Sequence, residues 1–555
     1  MSEKDPNLWE RALFLVSPKR GNKAYNDRMK REGKENISEI GRAGSSAPRM
    51  SYGSHGASQT LNSLIGWIID AGNAEDNIDL YSSTLRQRAR DMYSGGGLAR
   101  SGPQTMTQSV IGWGMHPKPE IDGDFLGLSE EEREVAEKTI LREWKLWAEN
   151  AMCDAERQKN FYDMQDLAFL SMLMSGDVFA LFVMKPNART PYQTAIRLLE
   201  ADRISSPDSS GYSVSRETDS GGRIIDGVEI DREGVVIRYH IASRSPVASN
   251  DSSELTWTAV DAYGKDTGYP NILHVMTYER PEQRRGIPFV ASEIEAIKQF
   301  SRYMNAELAA NVVSAMLTCF ITSQEDDGKF GLEDAVNDEE KVTDDELQLE
   351  LAPGAIYNLP PGKKVETVNP LRSNTQFENF VSTVITTIAS SMGIPKEVLI
   401  KKYESNYTAA RAALLDFWRS VRVYRRKFNS NFNQPIYEQW LSEAVAAGRI
   451  TAPGFFDDPA IRQAWCGCQW MGASMGHVDP LKEANAATVR ISNNITTQEQ
   501  EAAEYNGNDW AANVRQRKRE ISVARELREL AGERIDPDTQ APAPGYGGEE
   551  EEEEE

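Results

Sequence analysis

The amino-acid sequence predicts an α+β body carrying a two-helix stalk, and three observations support that prediction. Phe377, Phe380, Val381, Val384, Ile385 and Ile388 recur three and four residues apart, which places them on one helical face until Gly393-Ile394-Pro395 stops the run. Between 178 and 240 the apolar residues come instead as short β-branched and aromatic runs (Val178–Met184, Ala195–Leu199, Val228–Ile230, Val235–His240) separated by Gly, Asp, Asn and Ser, as strands are. Twelve acids crowd the stretch from Glu325 to Glu350 against Lys329 and Lys341, between two helical runs. A helix out, a compact acidic excursion and a helix back describe a domain inserted at the end of a stalk.

Taken in order, residues 1–60 are rich in Gly, Ser, Asn and charge, with bases outnumbering acids, and read as a flexible arm. Asp76 to Tyr93 reads as a helix bearing Arg86, Arg88 and Arg90, with Gly95-Gly-Gly97 as a turn after it. Ser129-Glu-Glu-Glu132 is a capping box opening a helix that reaches Trp147, and Tyr162 to Met174 is an apolar helix before the strands. Ala291 to Leu317 is the outgoing stalk helix, with Ala306, Ala309, Ala310 and Ala315 allowing close helix approach. After the returning helix, Lys396 to Tyr403 reads as a lysine-bearing loop. A long helix follows, with Leu414, Phe417, Val421, Tyr424, Phe428 and Phe432 on one face. Up to Gly448 it spans about 60 Å at 1.5 Å per residue, with a kink expected at Pro435. Pro453-Gly454 and Asp457-Asp-Pro459 make a joint, and Trp465 to Met471 reads as buried. Three helices close the chain: one from Pro480, one capped by Thr496-Thr-Gln-Glu499 and one over Asp509 to Ala531. The acidic tail from 535 reads as disordered.

Composition excludes several function classes. No window holds the roughly 18 uncharged apolar residues that a membrane span needs, and the N-terminus lacks a signal pattern, so a soluble cytosolic protein with no membrane partner is expected. Cys153 and Cys319 fall in apolar, helix-like patterns and read as buried thiols. Cys466-Gly-Cys468 finds only His477 as a nearby third ligand, whereas structural zinc is almost always four-coordinate, so no metal and no cofactor are expected. Gly472-Ala-Ser474-Met-Gly476 fits the nucleophile-elbow pattern, with His477 and Asp479 beside it. A histidine three residues after the serine has no room to face it properly. With no P-loop and no metalloprotease histidine pair, the chain shows no credible catalytic set and is read as not an enzyme; a serine hydrolase using Ser474 is the alternative from another class. The net charge of −23 is wrong for a conventional sequence-specific DNA binder.

The 374–448 stretch resembles one family, the lambda-type portal proteins of tailed bacteriophages. Further segments resemble it in the same order: Trp144 to Trp147, Ser175-Gly-Asp-Val-Phe-Ala180, Ile224-Ile-Asp-Gly-Val-Glu-Ile-Asp231 through Tyr239-His240, Arg280-Pro-Glu-Gln-Arg-Arg-Gly-Ile-Pro288, Pro353-Gly354 with Leu359-Pro-Pro-Gly362, Val478 to Ala484, and Asn508-Asp-Trp510. The resemblance implies a portal fold: an α+β wing (61–288), a two-helix stem (289–317 and 373–393), a small α/β clip insertion (318–372), a channel loop (394–407), a kinked long helix with the return of the wing (408–478) and a C-terminal helical crown (479–534).

It also implies a homo-oligomeric ring, a dodecamer, at one capsid vertex of the virion. The ring is assembled in the host cytoplasm, and double-stranded DNA enters and leaves through it. Its expected partners are the terminase large subunit, head-completion or neck adaptor proteins, and the major capsid and scaffold proteins. By the same resemblance Lys396, Lys401, Lys402 and Tyr403 line the narrow part of the channel, Asp344, Asp345 and Glu346 dock the motor or neck, and Phe377, Phe380, Val384, Ile385 and Ile388 pack the stem. Twelve copies at −23 each carry about −280 formal charges, a wall to which passing phosphates adhere little. Arg284 and Arg285 either face that channel or pair with carboxylates at a subunit interface. Another head-to-tail connector or minor capsid protein is the structural alternative.

Overall fold

The computed structural model describes residues 72–207, 216–218, 221–247, 254–315, 319–323, 363–367, 377–403, 407–474, 480–506 and 510–530, together with positions 9, 17, 20–21 and 23–28 upstream. Two compact units divide the chain, residues 1–72 and 73–555. The first contributes helical turns at 20–21 and 23–28. Most of the expected arm, the acidic stretch 325–350 and the tail from 535 lie outside the described residues.

The second unit opens on a π-turn, Glu75–Asp79, followed by α1 (Ser82–Ser94), so the helix expected over 76–93 comes in two pieces. Gly96 and Gly97, at φ 84° and 64°, turn the chain into α2 (Leu98–Val110). Sequence reading passes over this helix because Gly102-Pro103 sits inside it; the Thr107 hydroxyl donates to the Pro103 carbonyl at 2.9 Å one turn on. After β1 (His116–Pro119), α3 (Glu130–Ala148) begins at the expected capping box: the Glu132 carboxylate accepts from the Ser129 backbone N–H at 2.9 Å, and the Ser129 hydroxyl accepts from the Glu132 N–H at 3.3 Å. Helix α4 (Phe161–Ser175) is capped by the Asn160 side chain and runs into β2.

Strands β2 (Asp177–Met184), β3 (Thr194–Glu200) and β9 (Ile272–Met276) form an antiparallel sheet in the order β3-β2-β9. Strands β4 (Arg216–Glu217), β5 (Arg223–Ile225), β6 (Val228–Ile230), β7 (Val236–Ala242) and β8 (Trp257–Asp261) make a five-stranded antiparallel meander. Ile225 pairs with Val228 across Asp226-Gly227, whose φ angles of 42° and 85° are those of the two-residue turn that matches strand twist. One apolar cluster includes Phe179, Leu199 and Ile272 of the first sheet and Ile225, Ile230 and Tyr239 of the second.

A larger core gathers the helices. Trp144 lies 5.0 Å, ring centre to ring centre, from both Trp147 and Trp440, edge-on to Phe161, and beside Tyr437 and Trp470. Burying each such ring contributes about 1.5–3 kcal/mol by transfer, which is why residues 300 positions apart define one body.

The two helices expected to form the stalk are α5 (Ile294–Ala315) and, after strands β10 (Cys319–Ser323) and β11 (Lys363–Thr367), α6 (Phe377–Ser391). Tyr303 of α5 meets Phe377 at 6.0 Å and Phe380 at 5.0 Å, tying the two together. Two expectations change here. Cys319 lies on an antiparallel strand pair, since the β-branched run after it overrides the helix-like pattern before it, and Cys153 ends a 3-10 turn, buried as expected. The lysine loop is half helical: α7 (Lys396–Ile400) follows Pro395, a residue suited to a helix entrance.

Helix α8 (Tyr407–Phe428) passes through a π-turn at Asn429–Asn433 into α9 (Gln434–Ala446). The irregularity thus falls on the turn before Pro435, where the proline ring would collide with the carbonyl four residues back and leave it without a donor. Helix α10 (Pro459–Trp465) leads to β12 (Cys468–Met471), which pairs with β1. The closing helices are α11 (Pro480–Ser492), α12 (Gln498–Asn506) and α13 (Trp510–Leu530). Thr497 caps α12, its hydroxyl accepting from the Gln500 N–H at 3.1 Å, one residue later than the expected Thr496. No described helix is long and apolar enough to cross a membrane.

Candidate functional site

Three segments far apart in sequence converge just before helix α5. Asp177 opens β2, Asp226 sits at the β5–β6 turn, and Arg285 lies nine residues before α5; all three are buried. Arg285 donates from Nε to Asp177 Oδ2 at 2.7 Å, from one terminal nitrogen to the Asp226 and Ile204 carbonyls at 2.6 and 2.9 Å, and from the other to the Ala201 carbonyl at 2.8 Å. The same guanidinium is 2.7 Å from the Asp226 carboxylate. A planar five-donor fork is the only side chain able to satisfy such a ring of acceptors. Arg86 of α1 adds a 2.7 Å pair with Asp202, and Arg90 pairs with the other oxygen of Asp202.

The electrostatics follow from burial and proximity. Desolvation would raise the Asp177 carboxyl, but Arg285, the His274 hydrogen bond and Arg86 outweigh it and hold it well below the usual carboxylate range. Asp202 is likewise held down, by Arg86 and Arg90 against burial. Burial pushes His274 down, with Asp177 opposing. The approach of the segments needs two glycines: a Cβ on Gly286 would stand 1.9 Å from the Gly176 carbonyl oxygen, and one on Gly176, at φ 91°, 2.4 Å from that of Gly286. Arg285 therefore neither faces a channel nor waits for a neighbouring subunit, because its carboxylates come from its own chain. Sequence reading missed the acidic half of this cluster. The signal present was charge embedded in apolar runs, as in Asp177-Val-Phe-Ala and Ile-Ile-Asp226-Gly-Val.

The second candidate site is the lysine turn. Gly393, at φ 65°, ends α6; the Ile394 N–H bonds the Ala389 carbonyl at 3.0 Å and the Gly393 N–H bonds that of Ser390 at 3.1 Å, a Schellman stop. Helix α7 is seated on α2, whose Ser101 hydroxyl donates to the Leu399 carbonyl at 2.7 Å and whose Gly102 leaves room for Met392. Lys401 takes the left-handed conformation at φ 56° and the Lys402 N–H closes the turn on the Glu397 carbonyl at 3.1 Å.

This turn separates the three lysines. Lys401, Lys402 and Tyr403 are exposed, whereas Lys396 is half-buried and donates to the Ser382 hydroxyl of α6 at 2.5 Å. Of the stem-packing candidates, Ile388 is fully buried, Phe377, Val384 and Ile385 are half-buried, and Phe380 is exposed.

The remaining candidates are simpler. Asp344, Asp345 and Glu346 lie outside the described residues, as do His477 and Asp479. Gly472 and Ala473 serve packing: the Arg425 guanidinium lies 3.0 Å from where a Cβ on Gly472 would be and donates to the Ala473 carbonyl at 3.0 Å. Arg425 also donates to the Val110 and Ser109 carbonyls at the end of α2, a cation at a helix C-terminus, and burial lowers its pKa to about 10. Burial pushes the Cys466 thiol up to about 12, and Cys468 is raised for the same reason. Among the described residues no three His, Cys, Asp or Glu side chains gather as a metal site.

Compared with known proteins, the chain matches the family described as phage portal protein, lambda family, over residues 61–425, a span holding the buried ion cluster, both stalk helices and the lysine turn. It is 24% identical to portal protein B of Escherichia phage lambda over 458 residues, 79% of this chain and 83% of that protein. To the portal protein of Escherichia phage N15 it is 23% identical over 505 residues, 87% of this chain and 92% of that one. Among solved structures, a chain from the neck of an empty gene transfer agent particle aligns with a TM-score of 0.42 and 14% identity, covering 70% of this chain and 94% of that chain. A family match across two thirds of the sequence, taking in each of the converging segments, decides the assignment: this chain belongs to the lambda family of phage portal proteins.

Proposed function

We propose that copies of this chain close into a ring, a dodecamer, at one capsid vertex, and that double-stranded DNA passes through its centre during packaging and ejection. The observation that carries this reading is the exposed apolar surface of the stalk. Leu308 is 64% and Val312 47% exposed on α5, and Phe380 is 49% exposed on α6, so a lone chain would hold large apolar side chains in water on both helices. Head-to-tail packing around a closed ring buries such faces on every copy. The stalk is then the stem, the body the wing, the segment between β10 and β11 the clip, and α11 to α13 the crown. The proposed partners are the terminase large subunit and neck adaptors at the clip, through Asp344, Asp345 and Glu346, and capsid and scaffold proteins around the ring. The purified protein should sediment as a large ring; a stable 62.0 kDa monomer at micromolar concentration and physiological salt would overturn the reading.

In this ring Lys401, Lys402 and Tyr403 are the proposed channel residues, making transient, sequence-independent phosphate contacts. Lys396, turned onto Ser382, is proposed to brace the turn. Lys401→Ala with Lys402→Ala should leave ring formation intact, since exposed charges seldom contribute more than about 0.5 kcal/mol. Packaged DNA length or leakage from filled heads should change, and more at low salt. Heads that fill and hold genome as the wild type does at two salt concentrations would remove these lysines from the channel.

A further inference from the structure

We propose that Asp79 is a proton site that locks the root of the stalk to the body: as the neutral acid it closes the joint, and as the anion it loosens it. Asp79 ends the π-turn before α1 and is buried; its Oδ1 accepts the Arg285 backbone N–H at 3.0 Å, while its Oδ2, equally buried, accepts no hydrogen bond from the described residues. A buried carboxylate oxygen without a donor is costly, and a neutral carboxyl there removes the charge that makes it so.

Charged groups approach this joint from several elements. Arg284 and Arg285 approach from the segment leading to α5, Asp226 from the β5–β6 turn, Arg86 and Arg90 from α1, Asp177 from β2, His274 from β9 and Asp202 from the 3-10 turn after β3. Asp177, Asp202 and Asp226 are each paired with Arg86, Arg90 or Arg285. The side-chain donors of Ser82 and Arg285 are engaged with other acceptors. Ser82, one turn on, gives its hydroxyl to the Asp226 carboxylate at 2.9 Å and to the Asp79 main-chain carbonyl at 3.0 Å. Arg285 spends its side chain on Asp177, Asp226 and three carbonyls. Burial accordingly raises the Asp79 pKa to about 7, with the Arg285 N–H and charge opposing and Asp226 adding to it.

The sign follows from the raised value. An exposed Asp79 in the opened joint ionises near the usual 3.8, so the closed joint holds an extra proton between there and about 7. Its stabilisation is fully present below the lower value and lost progressively as pH rises to the upper one. His274, whose pKa burial lowers, contributes the opposite slope below its own ordinary value, so the test must compare two proteins that share it.

The experiment is amide hydrogen exchange on the full-length protein from pH 4.5 to 8, read over residues 75–94 and 279–294, for wild type and Asp79→Asn. The asparagine keeps the shape of the neutral acid and cannot ionise. The ratio of wild-type to variant opening constants, in which intrinsic exchange cancels, should rise about tenfold per pH unit between about 4.5 and 6.5 and flatten above about 7. A ratio independent of pH overturns the proposal. Should Asp79→Asn fail to fold, Asp226→Asn carries the test: removing the neighbouring anion should move the bend of the opening profile to lower pH, and an unmoved bend overturns the proposal equally.

Discussion

Arg285→Met should cost about 3–5 kcal/mol and leave the body largely unfolded or insoluble at neutral pH. The guanidinium is fully buried and is the shared partner of Asp177 and Asp226, besides satisfying the Ala201, Ile204 and Asp226 carbonyls. Methionine fills much of the same volume, so the loss comes from stranding buried acceptors and not from a cavity. Arg285→Lys should recover only part of the stability, because an ammonium is a point charge that cannot span acceptors on three segments at once. Thermal unfolding of the two variants checks this. An Arg285→Met protein within about 1 kcal/mol of wild type would show that the cluster is not what holds the stalk root.

The second large effect is expected in α6, where neighbouring positions should fail in different ways. Ile388 is fully buried in the body's own core, with Ala389 and Met392, so Ile388→Asp should cost several kcal/mol and unfold the root of each chain, whatever its state of assembly. Ile385, one turn earlier, is half-buried, and Phe380 is exposed. Ile385→Asp or Phe380→Asp should therefore leave the body's circular dichroism and melting close to wild type while lowering the sedimentation of the proposed ring. If the Ile388 and Ile385 variants lose secondary structure equally, the half-buried face is part of the monomer core and the stalk surface assigned to ring contacts is wrong.

These effects also separate what was legible in the sequence from what was not. The capping box at Ser129, the stop at Gly393, the strands from Val178 to His240 and the stalk helices were all readable, because each depends on residues within a few positions of one another. Helix α2 was not, since the cost of Gly102-Pro103 is local whereas its compensation, packing against Met392 and the Leu399 carbonyl, comes from 290 positions away. The three lysines looked equivalent because spacing says nothing about which one folds back; the turn at Lys401 and the Ser382 hydroxyl decide it.

By itself, then, the sequence determined the mixture of helices and strands, the two helices flanking the acidic stretch, the net charge and the family, all of which rest on local periodicity, composition or ordered motifs. Only the tertiary structure decided that the Ser175-Gly-Asp, Ile-Ile-Asp226-Gly and Arg-Arg285-Gly motifs are one object. Desolvation makes an isolated buried charge prohibitively costly, so each of these charges is tolerable only where folding delivers its partners, and no single segment of the chain contains them.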